Sequence, residues 1–186
     1  LDRQGLYVFT LNGFPYGAFH GTQVKERVYE PDWRSPLRVD YTRELAVALL
    51  GLLPEGTTGS ISTVPGAWKA AAGTDADAAH MADNMLQSVA HLAQLERETG
   101  RVIALALEPE PGCVLETIDE TVAFFERNLF SGPAIGRLAE LAGSSRAVAL
   151  EQVRRHLGVC LDACHAAVEF EAAAEVCERL GRAGID

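Results

Sequence analysis

Acidic side chains and an imidazole directly follow two apolar segments in the second half of the chain. Glu108 follows residues 102–107, and Asp162 and His165 follow residues 157–161. If the two segments are neighbouring parallel strands, about 4.8 Å apart, the two carboxylates meet, and their like charges favour a cation between them. Oxygen and imidazole ligands suit Mn, Mg, Zn or Co. The sequence therefore predicts a divalent-metal site made of Glu108, Asp162 and His165, with the identity of the metal open.

Each of these residues also has a simpler interpretation. An Asp at the end of a strand is commonly a helix N-cap or an ion-pair partner. A lone His such as His165 can be a half-buried packing residue, and Glu110 can be a solvated or Arg-paired carboxylate. The metal prediction therefore depends on the convergence of Glu108 with Asp162 and His165, rather than on any one of them.

Other polar residues are expected at the same end of the sheet, in the loops that follow the strands. Asn12 and Tyr16 could hydrogen-bond a polyol, and Lys69 could bind a phosphate or a carboxylate. A role in loop structure is the alternative at each position. The predicted substrate-binding residues are Asn12, Tyr16, His20, Lys69 and Glu110.

The elements that must position these residues alternate along the chain. Mainly apolar runs at 6–11, 102–107 and 157–161, and the run Gly-Ser-Ile-Ser-Thr-Val at 59–64, predict short strands, the first of them buried on both faces. The first helix is predicted to begin at Ser35-Pro36 and to end before Pro54, and a second is predicted over 77–99. A third begins at the capping box of Thr117 and Glu120 and ends at about 130. Further helices are predicted over 134–155, in two pieces around Gly143, and over 171–182. The first helix has apolar residues at helical spacing: Leu37, Tyr41, Leu45, Leu49 and Leu52. Residues 18–34 are predicted to be a long loop.

This alternation predicts a parallel α/β sheet, either doubly wound or a piece of a (β/α)8 TIM barrel. No glycine-rich phosphate loop follows the first strand, which disfavours dinucleotide binding. Polar residues at the ends of several strands favour the barrel. A complete barrel has about 250 residues, so we expect residues 1–186 to be a single partial barrel domain. It would hold about half a barrel, roughly strands 2 to 5, truncated at both ends.

The composition narrows the classes of partner. With 26 acidic and 16 basic residues, the net charge of −10 opposes binding to nucleic acid. No apolar run is long enough to predict a membrane span.

The four cysteines include no CxxC pair, which indicates reduced thiols and a cytoplasmic location. Three further histidines, which fall in or beside predicted helices, are expected to be surface or packing residues: His80, His91 and His156.

Two strand-end motifs together carry a family resemblance: Glu108-Pro-Glu-Pro, and Gly-Val-Cys-Leu-Asp162-Ala-Cys-His165. In this combination the chain resembles the xylose-isomerase-like TIM barrel superfamily, which includes sugar isomerases and epimerases and an endonuclease IV branch. The segments 12–17, 62–66 and 107–111 more narrowly resemble the EboE-type metabolite traffic proteins of that superfamily.

The resemblance implies that Glu108 and Asp162 bind a metal, with His165 beside them as a further metal, substrate or catalytic group. The implied activity is that of a sugar or sugar-phosphate isomerase or epimerase, which moves a proton next to a hydroxyketone, with Glu108 and His165 as the catalytic residues. In sugar-converting members a second Glu and a further His complete the site. We expect neither in this chain, so the fragment alone is expected to be inactive.

Two alternatives follow from the same resemblance. One is a non-catalytic protein of the EboE type that binds a small metabolite on the same barrel. The other is a zinc phosphodiesterase similar to endonuclease IV, which the acidic composition opposes, because an enzyme acting on DNA needs a basic cleft.

Overall fold

A four-stranded parallel sheet lies at the centre of the computed structural model, which describes residues 2–16 and 28–186. The strands are β1 Thr10–Asn12, β2 Gly59–Thr63, β3 Ile103–Leu107 and β4 Leu157–Val159. They lie in sequence order, β1-β2-β3-β4. The predicted parallel α/β fold is therefore confirmed, and strands that are consecutive in the chain are neighbours in the sheet.

Helices connect the strands, and most begin where a local capping signal predicts. Ser35 caps the first helix, and Thr117 and Glu120 form the predicted capping box. The second helix begins two residues earlier than predicted, because Thr74 forms an unpredicted capping box with Asp77. The helices are α1 Pro36–Leu52, α2 Asp75–Thr99, α3 Ile118–Phe124 with a following π-helical turn Phe125–Leu129, α4 Gly132–Ala142, α5 Arg146–His156, α6 Ala163–Val168 and α7 Ala173–Ala183. Among the described residues, no helix combines the length and apolarity needed to cross a membrane.

The two faces of the sheet differ in burial. In β2 and β3, residues such as Ile61 and Leu105 are fully buried in the hydrophobic core that the helices complete. The alternate residues, which point to the other face, are small and only partly buried: Ser60, Ser62, Ala104 and Ala106. The core therefore lies between the helices and one face of the sheet.

The prediction that residues 6–11 form a strand buried on both faces was wrong. The observed β1 contains only Thr10–Asn12, and it pairs with β2 alone at the edge of the sheet. The side chains of Leu6, Tyr7 and Phe9 are 54%, 61% and 49% exposed. Apolar composition indicated burial here, but an edge position leaves these side chains uncovered by the described residues.

The buried face of α1 also differs from the predicted apolar stripe. Leu37 and Leu52 are largely exposed. The residues that are buried instead are Arg38, Val39, Thr42, Ala46 and Leu49. A charged side chain replaces a leucine in the core because backbone carbonyl groups surround the Arg38 guanidinium, which the helical spacing of apolar residues could not reveal.

Candidate metal centre

The ends of β3 and β4 bring the three predicted ligands together. Leu107 pairs with Val159, and the Cys160 N–H donates to the Leu107 carbonyl at 2.7 Å. The backbone segments that leave β3 and β4 therefore stay side by side as the strands end. Glu108, Asp162 and His165 each offer a ligand atom, and these atoms all lie within 4.8 Å of one another. All three side chains are partly buried. They form a cluster that could hold a metal ion, as the spacing predicts.

Asp162 caps a short helix that the sequence did not predict. Its Oδ1 accepts hydrogen bonds from the backbone N–H groups of Cys164 and His165, at 2.6 and 3.2 Å, at the start of α6. These bonds, led by the one from Cys164, lower the pKa of Asp162. Its other oxygen, Oδ2, lies 3.8 Å from His165 Nε2. One carboxylate therefore caps the helix and contributes to the cluster, so the two interpretations of Asp162 are compatible.

The imidazole of His165 is oriented by a backbone carbonyl. Its Nδ1 lies 3.0 Å from the carbonyl oxygen of Pro109. Because a carbonyl can only accept, Nδ1 carries the proton of the neutral ring, and Nε2 keeps a lone pair that faces Asp162. Metal-binding histidines commonly donate the second ring nitrogen to a carbonyl in this way. The orientation of His165 therefore fits a metal ligand.

Glu108 is held in an unfavourable environment for its charge. Burial raises its pKa, and the negative charges of Asp162 and Glu110 raise it further, while His165 and a hydrogen bond with Ser62 oppose the rise. Its backbone N–H donates to the Thr63 carbonyl at 3.1 Å, which continues the pairing of β2 and β3 past the end of both strands. A cation at the cluster would offset this repulsion between carboxylates.

Glu110 lies beside the cluster and contacts a residue that the sequence analysis did not identify. Burial raises the pKa of Glu110, and a hydrogen bond with the Tyr29 side chain partly offsets the rise. The Tyr29 ring stacks on Trp68, with ring centroids 5.3 Å apart. The Oε2 atom of Glu110 is enclosed and has no hydrogen-bond partner among residues 2–16 and 28–186. Tyr29 was missed because it belongs to a stretch without periodicity, which carries no local signal of burial.

Asn12 joins the cluster through the hydroxyl group of Ser62. Asn12 and Ser62 are paired across β1 and β2. The Ser62 hydroxyl donates to Asn12 Oδ1 at 3.4 Å, and the same oxygen accepts from the Phe14 N–H at 2.9 Å. Ser62 is also close enough to Glu108 to lower the pKa of that carboxyl group. The structure therefore places Asn12 at the same end of the sheet as the candidate ligands.

The other predicted substrate-binding residues have different surroundings. Tyr16 is 46% exposed and packs edge to face against Tyr41 of α1, at 5.0 Å between ring centroids. The Lys69 ammonium forms ion pairs with Glu116 and with Glu120, the latter at 2.8 Å, so two carboxylates already balance its charge. His20 lies outside the described residues.

Comparisons of the chain with protein-family models, with curated proteins and with solved structures found no match. The assignment of chemistry therefore depends on the donor set itself. Two carboxylates and an imidazole are a donor set that Mn, Zn and Co accept readily, and Mg accepts the carboxylates.

Proposed function

We propose that Glu108, Asp162 and His165 bind a divalent metal, and that the site takes a small polyol or sugar-type metabolite and moves a proton next to a hydroxyketone. The observation that carries this proposal is the mutual approach of the three ligand atoms within 4.8 Å. The orientation of His165 by the Pro109 carbonyl supports it. When bound, such a metal polarises a carbonyl oxygen of the substrate.

Carboxyl groups with raised pKa values support the proton-transfer step. Burial raises the pKa of Glu108 and of Glu110. The pKa values of these two carboxyl groups are therefore closer to neutral pH than the pKa of a solvated glutamate. In the proposal Glu108 and His165 are the catalytic groups, as the family resemblance implies. Glu110, whose carboxyl group lies beside the cluster, would accept a hydrogen bond from a substrate hydroxyl.

The face of the sheet that carries Ser60 and Ser62, only partly buried among the described residues, supports a hydroxyl-rich ligand. Ser62 and Asn12 lie beside the cluster, and Ser60 donates to the Thr10 hydroxyl at 2.9 Å one step further along the same face. These side chains offer both donors and acceptors to a polyol. Partial exposure of the two serines leaves them accessible to a ligand.

The sequential order of the strands supports the partial TIM barrel. A doubly wound sheet reverses its strand order at a switch point, whereas these four strands follow the order of the chain.

The net charge of −10 opposes a nucleic-acid partner and with it the phosphodiesterase alternative. The four cysteines are free thiols, which supports the proposed cytoplasmic location.

Calorimetric titration of the protein with Mn²⁺ and with Zn²⁺ tests the metal site. Asp162→Asn should weaken binding at least about tenfold, because it removes a charged ligand while an Asn still caps α6. Glu55→Gln, which removes an exposed carboxylate from a turn, should bind as the natural chain does. Absence of binding to either metal, or equal binding by Asp162→Asn, would contradict the proposal.

Deuterium exchange separates catalysis from simple binding. The protein is incubated in deuterated water with the metal and a small hydroxyketone, and loss of the substrate C–H signal is followed by proton NMR. A proton-transfer enzyme exchanges this hydrogen, and Glu108→Gln should abolish the exchange. Saturable ligand binding without exchange would instead indicate a metabolite-binding protein, and cleavage of abasic DNA would indicate the phosphodiesterase.

A further inference from the structure

A second candidate site lies in the helical layer, away from the strand ends that carry the metal cluster. It is a groove between α1, α2 and α4, with a volume of about 350 Å³. Small-molecule sites commonly begin at about this size. The residues that line it include Arg43, Gln87, His91, Gln94, Arg97 and Leu141.

The lining of this groove is basic, although the chain as a whole is acidic. Arg43 and Arg97 both line it, and none of the lining residues within 2–16 and 28–186 carries a carboxylate. Two carboxylates contact residues of this lining: Asp40 lies 3.5 Å from the Arg43 guanidinium, and Glu98 accepts a hydrogen bond of 2.7 Å from Gln94. In a protein with a net charge of −10, a pocket lined by two guanidinium groups is a local exception that favours an anion.

His91 belongs to the wall of the groove. Its Nε2 atom is enclosed and has no hydrogen-bond partner among the residues that the structure describes. Because this atom is closed to solvent, His91 responds to the charge of the groove and is not itself a contact for the ligand. Burial lowers the pKa of His91, and the positive charge of Arg43 lowers it further, while Glu98 has the opposite effect.

We propose that this groove binds a small dianion of the phosphate class, held by Arg43 and Arg97 with His91 at its wall. Guanidinium groups bind phosphate oxygens through charge-assisted hydrogen bonds, often in pairs. The apolar side chain of Leu141 and the volume of the groove leave room for the organic part of a phosphate monoester. The site does not depend on the proposed function of the metal cluster.

Titration with inorganic phosphate, followed by NMR of the histidine side chains at constant ionic strength, tests this site. Bound phosphate offsets the charge of Arg43, so the His91 resonances should shift saturably and the pKa of His91 should rise. His80, an exposed residue near the start of the same helix, should not respond. Acetate, a monoanion, should bind at least about tenfold more weakly than phosphate, because it forms fewer charge-assisted hydrogen bonds.

Three matched variants locate the binding. Arg43→Gln and Arg97→Gln should each weaken phosphate binding about tenfold, and glutamine preserves helix propensity at both partly or fully exposed positions. Arg127→Gln removes the same charge from an exposed arginine that lines a different groove, and it should bind as the natural chain does. The proposal is wrong if phosphate causes no saturable shift of His91, if acetate is equally effective, or if both groove variants bind unchanged.

Discussion

At the scale of single residues, the candidate metal centre places like charges together in the absence of a cation. Glu108 and Asp162 contribute ligand atoms within 4.8 Å of each other, and Glu110 is close enough to raise the pKa of Glu108. A carboxyl group whose pKa is raised by folding contributes most to stability when it is protonated. This contribution is full below the unfolded pKa, about 4.3 for Glu, and is lost as the pH rises through the folded value.

Glu108→Gln should therefore stabilise the metal-free protein near neutral pH. We expect a gain of about 1 kcal/mol near pH 7, because glutamine keeps a hydrogen-bonding group without the repelled charge. The gain should disappear below about pH 4, where Glu108 of the natural chain is protonated in both its folded and its unfolded state. Urea unfolding with a chelator present, at both pH values, measures the difference. A variant that is less stable than the natural chain near pH 7 would show that the carboxylate is not under electrostatic strain.

At the scale of elements, the position of Glu110 depends on the turn that follows β3. The Lys69 N–H donates to the Gly112 carbonyl at 2.9 Å, and Trp68 forms an isolated bridge with Cys113. Gly112 has φ +83°, and a Cβ atom there would lie 2.4 Å from the Trp68 ring. Trp68 in turn stacks on Tyr29, which contacts Glu110. Glycine is therefore required at this turn for both its backbone conformation and its lack of a side chain.

Gly112→Ala should destabilise the protein by about 2 kcal/mol or more, since left-handed backbone strain adds to a clash with an aromatic ring held by stacking. Gly56→Ala is the matched control. Gly56 also has a left-handed φ of +73°, but a Cβ atom there meets nothing within 4 Å, so it should lose only about 1 kcal/mol. Thermal unfolding of both variants measures the two effects. Equal losses would show that the Trp68 contact does not constrain the turn.

One buried arginine at the start of α1 holds two segments of the chain that precede this helix. Arg38 is fully buried, and burial lowers its pKa to about 10. Its guanidinium donates to the carbonyls of Pro31, Gly13 and Phe14 at 2.7, 2.8 and 3.1 Å. The segment after β1 and the segment before α1 are therefore attached to the same side chain.

Arg38→Met should reduce the free energy of unfolding by about 3 kcal/mol, because three carbonyl acceptors lose their donor within the core. Leu37→Met, at the exposed neighbouring position, should change stability by less than about 0.5 kcal/mol. Denaturant unfolding monitored by tryptophan fluorescence is a suitable measurement, because Trp33 is also fully buried. A loss below about 1 kcal/mol would mean that water replaces the guanidinium contacts.

At the scale of the whole molecule, the candidate metal centre connects structure that is distant in sequence. Glu108 follows β3, and Asp162 and His165 belong to the start of α6, with three helices between them in the chain. An ion bound to all three residues would add a link at the open end of the sheet. Because the unfolded chain does not bring these ligands together, binding should stabilise the folded state.

Mn²⁺ or Zn²⁺ at about 100 times its dissociation constant should add about 2.7 kcal/mol to the stability of the protein. The melting temperature should rise by several degrees, by about 2–4 °C per kcal/mol, and return to its original value with a chelator. The rise should become smaller as the pH falls, because the metal competes with the proton on Glu108. Calorimetric melting curves measure it, and a similar rise in Asp162→Asn would place the binding elsewhere.

Much of the fold follows from local signals in the sequence. The capping residues Ser35 and Thr117 begin helices as predicted, and the break at Gly143 occurs because its φ of +60° ends α4. The central strands were predicted from their apolar runs. Strand ends in a parallel sheet converge for geometrical reasons, so the approach of Glu108 to Asp162 and His165 could be predicted without coordinates.

Tertiary structure alone decided which side chains share an environment. The burial of Arg38, the exposure of Leu6 and Phe9, and the contact of Tyr29 with Glu110 depend on partners far away in the chain, and periodicity carries no information about them. The sequence by itself determined the alternation of strands and helices, apart from α6, and placed Glu108 directly after β3, because these features depend on interactions between near neighbours. The dual role of Asp162 as helix cap and candidate ligand required the fold, because it depends on where α6 turns relative to β3.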